Sequence, residues 1–286
     1  MRTRRMMIVL LLLLGHLVAR GQSEFVDLAD RHVRDGDLDA AITEYYRHAY
    51  LYPDDPRLHE VYTKLGVACR DNGRVQPALR AFATALEKSR SADERARIRI
   101  ELALAHMVFD QPLQAQLVLL RILASPPADA ALVARAYAVA GVSALMAGRW
   151  NDAAASFHSW ASSRPDSSRT LEVINALLAD TSEIPHRSPT VATILSAIIP
   201  GAGQIYCGEV LDGLNSMALN GAFIYGFYSQ LEQQRWVAAG LVSIPLVARY
   251  YMGNLDHAQR YANEFNDRER RAFAAKAIRR IAELSD

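Results

Sequence analysis

The sequence predicts an all-α protein: a run of helical repeats, then a hydrophobic pair of helices and a charged C-terminal helix. Ala and Leu, which favour helices, are frequent, whereas Gly and Pro gather in particular places. A turn, an alanine and a large apolar residue four positions later recur about every 37 residues. After Leu178 the composition changes, and three apolar stretches follow a polar linker. These observations divide the chain into a repeat region and a hydrophobic third.

The bulk composition excludes two broad classes. The 286 residues are 51% hydrophobic and 22% charged, which argues against a disordered chain. A formal net charge of +1 offers no basic excess to neutralise nucleic-acid phosphates. Cys69 and Cys207 are too far apart for a metal or redox motif, so we interpret them as small buried hydrophobes. Their separation leaves open whether they pair.

The N-terminus has the features of a secretory signal. A basic segment over residues 1–5 precedes an apolar run over residues 6–19, and small residues follow at Ala19 and Gly21. The apolar run is shorter than the roughly 20 residues that a spanning helix needs. We therefore predict a signal peptide over residues 1–21 and export of the remainder. An uncleaved anchor is the alternative.

The repeat pattern occupies residues 22–180, and each copy predicts two antiparallel helices. A small residue seven positions before the turn glycine, in Leu65-Gly66 and Ala140-Gly141, lets the helices of a pair approach closely. We expect the large residue that follows the alanine to fill the gap between pairs. The four copies run from Gly36 through Ala41 to Tyr45, from Gly73 through Ala78 to Phe82, through Ala115 and Leu119 in a degenerate third copy, and from Gly148 through Ala153 to Phe157.

This pattern resembles the tetratricopeptide repeat over about residues 24–166, including its small-residue, aromatic and terminal-proline positions. The resemblance implies an α-solenoid of about four repeats whose first helices line a concave groove that binds protein partners. A generic helical bundle is the alternative. By register, the candidate groove residues are Asp30, Arg34, Glu60, Thr63, Arg70, Arg97 and Arg135.

The hydrophobic third begins after a linker over residues 181–190, which is polar and broken by prolines. Residues 191–254 hold three apolar stretches, and we predict that they form transmembrane helices packed as a compact hairpin with a re-entrant piece. Polar residues within the stretches, such as Asn215 and Asn220, are costly in lipid and usually face protein or a water-filled pocket. A soluble apolar core is the alternative, since no stretch is a clean apolar twenty-mer.

The segment before the long apolar stretch carries the pattern Pro-Gly-x-Gly-Gln-x-Tyr-x-Gly. It resembles a motif of small bacterial membrane proteins, some of which carry tetratricopeptide repeats and some of which are linked to a membrane-protein insertion efficiency factor. We expect the glycines to permit a tight turn and Gln204 and Tyr206 to bond the backbone groups that it frees. A structural role and a lipid or partner-helix site both remain open. The residues that carry the resemblance are Pro200, Gly201, Gly203, Gln204, Tyr206, Gly208, Asn220, Gly253 and Asn254.

Residues 255–286 predict a charged helix with a partial apolar stripe. It either caps the hairpin as a solvated helix or lies on anionic lipid. The number of membrane crossings and the side of the C-terminus stay open, because a two-span hairpin would return the basic tail to the exported side.

No nucleophile, metal or phosphate-binding pattern stands out in the sequence. His59-Glu60 begins a zincin-like pattern, but Thr63 replaces the second histidine. We therefore predict a non-enzymatic scaffold of the bacterial cell envelope, membrane-anchored with its repeats in the periplasm. It would use no cofactor, small-molecule substrate or nucleic acid, and would bind protein partners through its repeats and lipid through its C-terminal third. The alternative is a role in transport or membrane-protein insertion that is centred on the membrane region, with the repeats as a docking module.

Overall fold

The computed structural model describes residues 24–238, Gly240 and residues 244–284. The predicted signal peptide, residues 1–21, lies outside the described residues. Within the described ranges the chain forms helices and turns without a strand, which confirms the all-α prediction. The chain divides into two compact units between Leu178 and Ala179, and each is described by itself.

The N-terminal unit is a series of helices joined by short turns. It contains α1 (24–34), α2 (Leu38–Leu51), α3 (Leu58–Asp71), α4 (Val75–Lys88), α5 (Ala92–Val108), α6 (Pro112–Leu123), α7 (Ala130–Met146), α8 (Trp150–Ala161) and α9 (Ser167–Ala179). Helices α3 and α4, α5 and α6, and α7 and α8 pack as pairs, and α3, α5 and α7 also contact one another in sequence. The architecture is therefore repeat-like.

The turn inside each pair is the same throughout this unit. Gly36, Gly73 and Gly148 have φ angles of 80°, 69° and 69°, in the left-handed region that favours glycine. Asp110, with φ of 55°, takes this place in the degenerate third copy. Asparagine and aspartate are the side chains that tolerate this region best. The four turn residues are 37, 37 and 38 positions apart, so the third copy keeps the register of the others.

Close helix contact within a pair depends on glycine. A Cβ on Gly66 would lie 2.8 Å from the ring of Phe82, and one on Gly141 would lie 2.6 Å from the ring of Phe157. The small residues thus allow close approach, as the sequence predicted. Each ring lies against the glycine of its own pair, and Phe82 also belongs to a core cluster that includes Ile98 of α5 in the next pair.

The C-terminal unit consists of α10 (Pro189–Ile198), α11 (Ala202–Tyr206), α12 (Val210–Glu232), α13 (Trp236–Ala238) and α14 (Ile244–Ala282), after a 3₁₀ turn over Asp180–Glu183. The hydroxyl of Ser188 caps α10 by accepting a hydrogen bond from the Val191 amide. Helix α14 packs on α10, α11 and α12. It runs without interruption through residues 254 and 255, where the sequence suggested a boundary between membrane helices and a charged helix.

Among the described residues, no helix combines the length and the apolar character needed to cross a bilayer.

The C-terminal unit buries small apolar residues, such as Ala192, Ala258 and Ala262, together with several polar side chains, and it exposes many of its large apolar side chains. Ser196, Gln204, Asn220 and Asn254 are buried. Large apolar side chains are exposed on every longer helix of the unit, among them Ile198 (74%), Leu211 (83%), Ile224, Trp236 (65%), Ile244 and Met252. Cys207 is a buried free thiol, as is Cys69 in the repeat unit.

Candidate functional site

Asn254 is the centre of a buried polar cluster in the C-terminal unit. Its Oδ1 accepts hydrogen bonds from the Gly201 amide (2.9 Å), Gln204 Nε2 (2.9 Å) and Ser216 Oγ (2.8 Å). Its Nδ2 donates to the Ser196 carbonyl at 3.0 Å. One side chain of α14 thereby connects α10, α11 and α12. We call Ser196, Gly201, Gly203, Gln204, Ser216, Asn220 and Asn254 the polar cluster.

Gln204 and Ser196 complete the network. Ser196 Oγ donates to Gln204 Oε1 at 2.9 Å and accepts from the Gly203 amide at 2.9 Å. Gln204 Nε2 also reaches the Asn254 carbonyl at 3.3 Å. An unpaired buried polar group costs about 1–3 kcal/mol. Because the polar groups of the cluster form hydrogen bonds with one another, the side chains of Ser196, Gln204, Asn220 and Asn254 can be buried. The backbone amides of the Gly201–Gly203 turn are thus bonded by Asn254 and Ser196, and the expectation that Gln204 and Tyr206 bond them is wrong.

Two motif glycines are required by backbone crowding. A Cβ on Gly201 (φ 97°) would lie 2.1 Å from the Gly213 carbonyl oxygen, and one on Gly203 would lie 2.1 Å from the Ala192 carbonyl oxygen. No side chain fits at either distance. Pro200, which cannot continue a helix, precedes this crossing in the turn between α10 and α11.

Tyr206 belongs to a second contact group rather than to the polar cluster. Its hydroxyl accepts a hydrogen bond from the Ser188 amide at 3.3 Å. The Arg187 guanidinium lies 4.9 Å from the Tyr206 ring centroid and 5.3 Å from that of Phe265. The Asn266 side chain bonds both the amide (2.7 Å) and the carbonyl (2.8 Å) of Arg187. These contacts attach the segment before α10 to α14.

The other motif residues have separate positions. Gly208, with φ of 92°, forms the turn before α12. Asn220 Nδ2 donates to the Ser216 carbonyl at 2.8 Å. A Cβ on Gly253 would meet nothing within 4 Å. The structure therefore brings Gly201, Gly203, Gln204, Asn220 and Asn254 into one cluster.

A cavity of about 390 Å³ opens beside the polar cluster, between α12 and α14. A volume of this size is typical of small-ligand sites. Asp212 lies in its wall and accepts a hydrogen bond from Tyr261 Oη at 2.5 Å. The lining residues are Gln204, Asp212, Asn215, Ser216, Leu219, Asn220, Arg249, Tyr250, Gly253, Asn254, His257 and Tyr261.

Most of the candidate groove residues are bonded to other residues of the repeat unit. Glu101 accepts from Arg70 at 3.1 Å and from Arg135 at 2.8 Å, which joins α3, α5 and α7. Burial acts to lower the pKa of the Arg70 guanidinium. The hydrogen bonds from Arg70 to Asp71 and Glu101 outweigh this effect, so the pKa is raised. Through Glu101, Arg70 on α3 and Arg135 on α7 thus link three successive first helices, and we call this arrangement the ion-pair ladder.

Asp30 has a comparable role between α1 and its neighbours. It accepts from Tyr45 Oη at 2.5 Å and from Lys64 Nζ at 2.5 Å. Burial and the Asp30 contact both raise the pKa of the Tyr45 hydroxyl.

The remaining groove candidates differ in their contacts. Thr63 bonds the His59 carbonyl of its own helix at 2.6 Å, and Arg97 lies 3.8 Å from Asp129. The side chain of Glu60 is 62% exposed and lies 3.8 Å from His59. Arg34 is exposed at the end of α1. The Arg97 side chain is 61% exposed, so Arg34, Glu60 and Arg97 are the candidates most open to a partner.

Sequence reasoning missed a buried ionic group in the first repeat. His48 and Asp55 are almost completely buried, with Nε2 and Oδ2 3.1 Å apart. Asp55 also accepts from the Arg57 amide (2.8 Å) and guanidinium (3.2 Å). Burial acts to raise the pKa of Asp55, but the hydrogen bonds from Arg57 outweigh it and lower the pKa. The group fixes the loop between α2 and α3.

Ser196, Ser216, Arg249 and His257 also escaped sequence reasoning as site residues. Ser196 had a local signal, since it is a polar residue within an apolar stretch four positions before Pro200. The part of the chain that the structure describes contains no group of three or more His, Cys, Asp or Glu side chains placed to hold a metal ion.

Compared with known proteins, the chain matches no family model, and no curated protein is a significant match.

Proposed function

We propose that the protein is a non-enzymatic scaffold whose C-terminal unit is embedded in a membrane of the bacterial envelope and whose exported repeat unit binds protein partners. The observation that carries the membrane assignment is the surface of the C-terminal unit, where large apolar side chains are exposed while four polar side chains are buried. Contiguous apolar patches beyond a few hundred Å² are rare on soluble monomers and mark contact with lipid or protein. In lipid, polar side chains and irregular backbone must be satisfied internally, which the polar cluster achieves around the Gly201–Gly203 turn.

The repeat unit supports the partner-binding half of the proposal. Paired helices with glycine–aromatic contacts and one recurring turn fit a tetratricopeptide-like solenoid. In such a stack the first helices form one face, and here α5 contacts both α3 and α7. Because Glu101 fixes Arg70 and Arg135, the exposed Arg34, Glu60 and Arg97 are the side chains that we assign to partner selection. Attachment to a membrane would raise the local concentration of whatever this face binds.

Cell fractionation of the full chain tests the membrane assignment. Carbonate extraction should leave the protein in the membrane pellet, and protease added to spheroplasts should cleave the repeat unit from outside. Release by carbonate would show that the apolar surface is covered by protein. Protection of the repeats in intact spheroplasts would contradict export.

A second candidate function is favoured by the polar cavity between α12 and α14: the membrane unit itself acts in transport or membrane-protein insertion, and the repeats dock a client. Crosslinking of two full-length variants separates the candidates. Glu60→Lys changes the repeat face, and Asn215→Ala changes the cavity wall. Both candidates allow loss of crosslinked partners in Glu60→Lys. Loss of function in Asn215→Ala with its partner crosslinks intact supports the membrane-centred role, and unchanged function in that variant supports the scaffold.

A further inference from the structure

The cavity of the C-terminal unit contains one cation and one anion that do not neutralise each other. Arg249 lines it without a hydrogen bond or ion pair to any residue between 24 and 284 that the structure describes. Asp212 lines the same cavity and bonds the Tyr261 hydroxyl, but pairs with no described cation. Both side chains stand among exposed apolar residues, where an uncompensated charge is costly. A ligand that carries both a negative and a positive charge would therefore compensate Arg249 and Asp212.

We propose that this cavity binds the headgroup of a zwitterionic phospholipid with a primary ammonium, the Arg249 guanidinium holding the phosphodiester and the Asp212 carboxylate holding the ammonium. The inference rests on the proposed membrane location. Guanidinium groups match phosphate oxygens with paired N–H donors. Basic pockets between membrane helices are known to accept lipid headgroups. The volume of about 390 Å³ is large enough for a headgroup.

The cavity wall offers further groups of matching chemistry. Asn215 and His257 lie in the wall and can donate to glycerol and ester oxygens. Leu219 and Tyr250, both about 40% exposed, line the same cavity and would contact the first methylenes of the acyl chains. The site thus has a polar base, two opposite charges and an apolar rim, as a lipid with a polar head and apolar tails requires.

Charge decides between headgroups. A headgroup with net negative charge would satisfy Arg249 but would be repelled by Asp212. A choline headgroup has a positive charge without an N–H donor, so it cannot donate to the carboxylate. An ethanolamine headgroup meets both requirements, since its ammonium is a hydrogen-bond donor and its phosphodiester an acceptor.

Native mass spectrometry of the full chain in detergent tests the proposal. Phosphatidylethanolamine, phosphatidylglycerol and phosphatidylcholine would be added at equal concentration and the retained lipid counted. Wild type should retain phosphatidylethanolamine about tenfold more tightly than the other two. Arg249→Gln should lose retention of all three. Asp212→Asn keeps an acceptor for Tyr261, and should lose the preference over phosphatidylglycerol while still binding phosphate.

Matched controls lie on the same helix as Arg249. Arg279→Gln and Asp256→Asn remove one charge of each sign at exposed positions outside the cavity, and should retain lipid as wild type does. Arg249→Lys keeps the charge but loses the paired donors, so retention should be intermediate. Circular dichroism identifies any variant that has lost its fold. If either Arg249→Gln or Asp212→Asn has unfolded, lipid retention by the other one tests the proposal.

Three results would overturn the proposal. Equal retention of the three lipids by wild type would mean that the cavity does not recognise the ammonium of the ethanolamine headgroup. Unchanged retention in both Arg249→Gln and Asp212→Asn would place the lipid elsewhere. Soluble glycerophosphoethanolamine displacing the lipid at equal concentration would identify a soluble ligand. Flotation with vesicles separates this inference from the proposed function: variants that float but show no headgroup preference leave the membrane assignment intact, whereas a wild-type chain that does not float contradicts both.

Discussion

The ring of Phe82 lies against the backbone of Gly66, at a distance that leaves no room for a Cβ. Phe157 has the same relationship to Gly141 two copies later. In both copies the aromatic residue is completely buried. These two contacts set the separation of the helices in their pairs.

Replacing Gly66 with alanine should destabilise the repeat unit. Helix propensity alone favours alanine by about 1 kcal/mol. Overpacking in a tight core costs about 1–3 kcal/mol, and the backbone of two helices must move to relieve it here. We expect a net loss of about 1–2 kcal/mol in the free energy of unfolding, measured by urea denaturation followed by circular dichroism.

A double-mutant cycle provides the control for this prediction. Leucine at position 82 is smaller than phenylalanine, so Gly66→Ala with Phe82→Leu should be less damaging than the sum of the single changes, by at least about 0.5 kcal/mol. Additive effects would show that the ring does not determine the cost of the new methyl group.

The lowered pKa of Asp55 predicts a pH-dependent contribution to stability. Because the pKa of Asp55 in the folded state lies below its ordinary value of 3.8, the ionised carboxylate stabilises the folded state at pH values above 3.8. The contribution is lost as pH falls through the folded pKa. At pH 7, Asp55→Asn should lower the free energy of unfolding by about 2 kcal/mol, since it weakens buried hydrogen bonds to charged groups.

The difference between wild type and Asp55→Asn should therefore shrink as the pH is lowered from about 5 through the folded pKa, in urea titrations at each pH. Asp54→Asn changes the exposed neighbouring carboxylate and should have an effect within about 0.5 kcal/mol throughout. A constant difference between wild type and Asp55→Asn over this range would contradict the assigned role of the carboxylate.

Neutralising Glu101 should loosen the ladder that joins α3, α5 and α7. Its side chain is only 22% exposed, and it accepts hydrogen bonds from two guanidinium groups. We expect Glu101→Gln to cost about 1–2 kcal/mol at low salt, and less in 1 M salt, because part of the interaction is screened. Glu87→Gln removes an exposed carboxylate from α4 and should change stability by less than about 0.5 kcal/mol. Equal effects of the two substitutions would mean that the ladder contributes nothing measurable.

Two glycines of the same sequence motif should respond in opposite ways to alanine. At Gly203 the new Cβ would meet a backbone oxygen at 2.1 Å and Ser196 Oγ at 2.5 Å, so we expect a loss of more than about 4 kcal/mol or failure to fold. At Gly253 the helix has open space, and alanine should stabilise it by up to about 1 kcal/mol. Thermal unfolding in detergent measures both, and a damaging Gly253→Ala would indicate a contact that the isolated chain does not contain.

Much of the repeat unit could be predicted because its determinants are local and periodic. The spacing from Gly66 to the turn at Gly73 and on to Phe82 lies within one helix pair, so a single pass along the sequence finds it. The third copy was harder to recognise because Asp110 replaces the turn glycine. Its position 37 residues after Gly73 was the remaining signal, and aspartate tolerates the required conformation.

The sequence identified some members of the candidate site, but not Ser196, Ser216, Arg249 or His257, and it did not reveal the connections between members. The motif named Gln204 and Asn254, which the structure places in contact although they are 50 residues apart in sequence. A local sequence pattern cannot reveal a hydrogen bond between residues so far apart. For the same reason it could not show that Arg249 and Asp212 line one cavity. His48 and Asp55 were missed for a similar reason: their contact crosses a proline-containing loop.

Helix α14 has 39 residues, which corresponds to a length of about 58 Å. Its only proline, Pro245, is in the first turn, so the helix has no built-in hinge between the cavity and its basic end. In the proposed membrane location, where the hydrocarbon layer is about 30 Å thick, a rod of this length would extend well beyond the layer. Mechanically, the helix is a stiff connection: one continuous helix about 48 Å long joins Arg249 in the cavity to Ile281, and burial of the Ile281 side chain holds the far end in place.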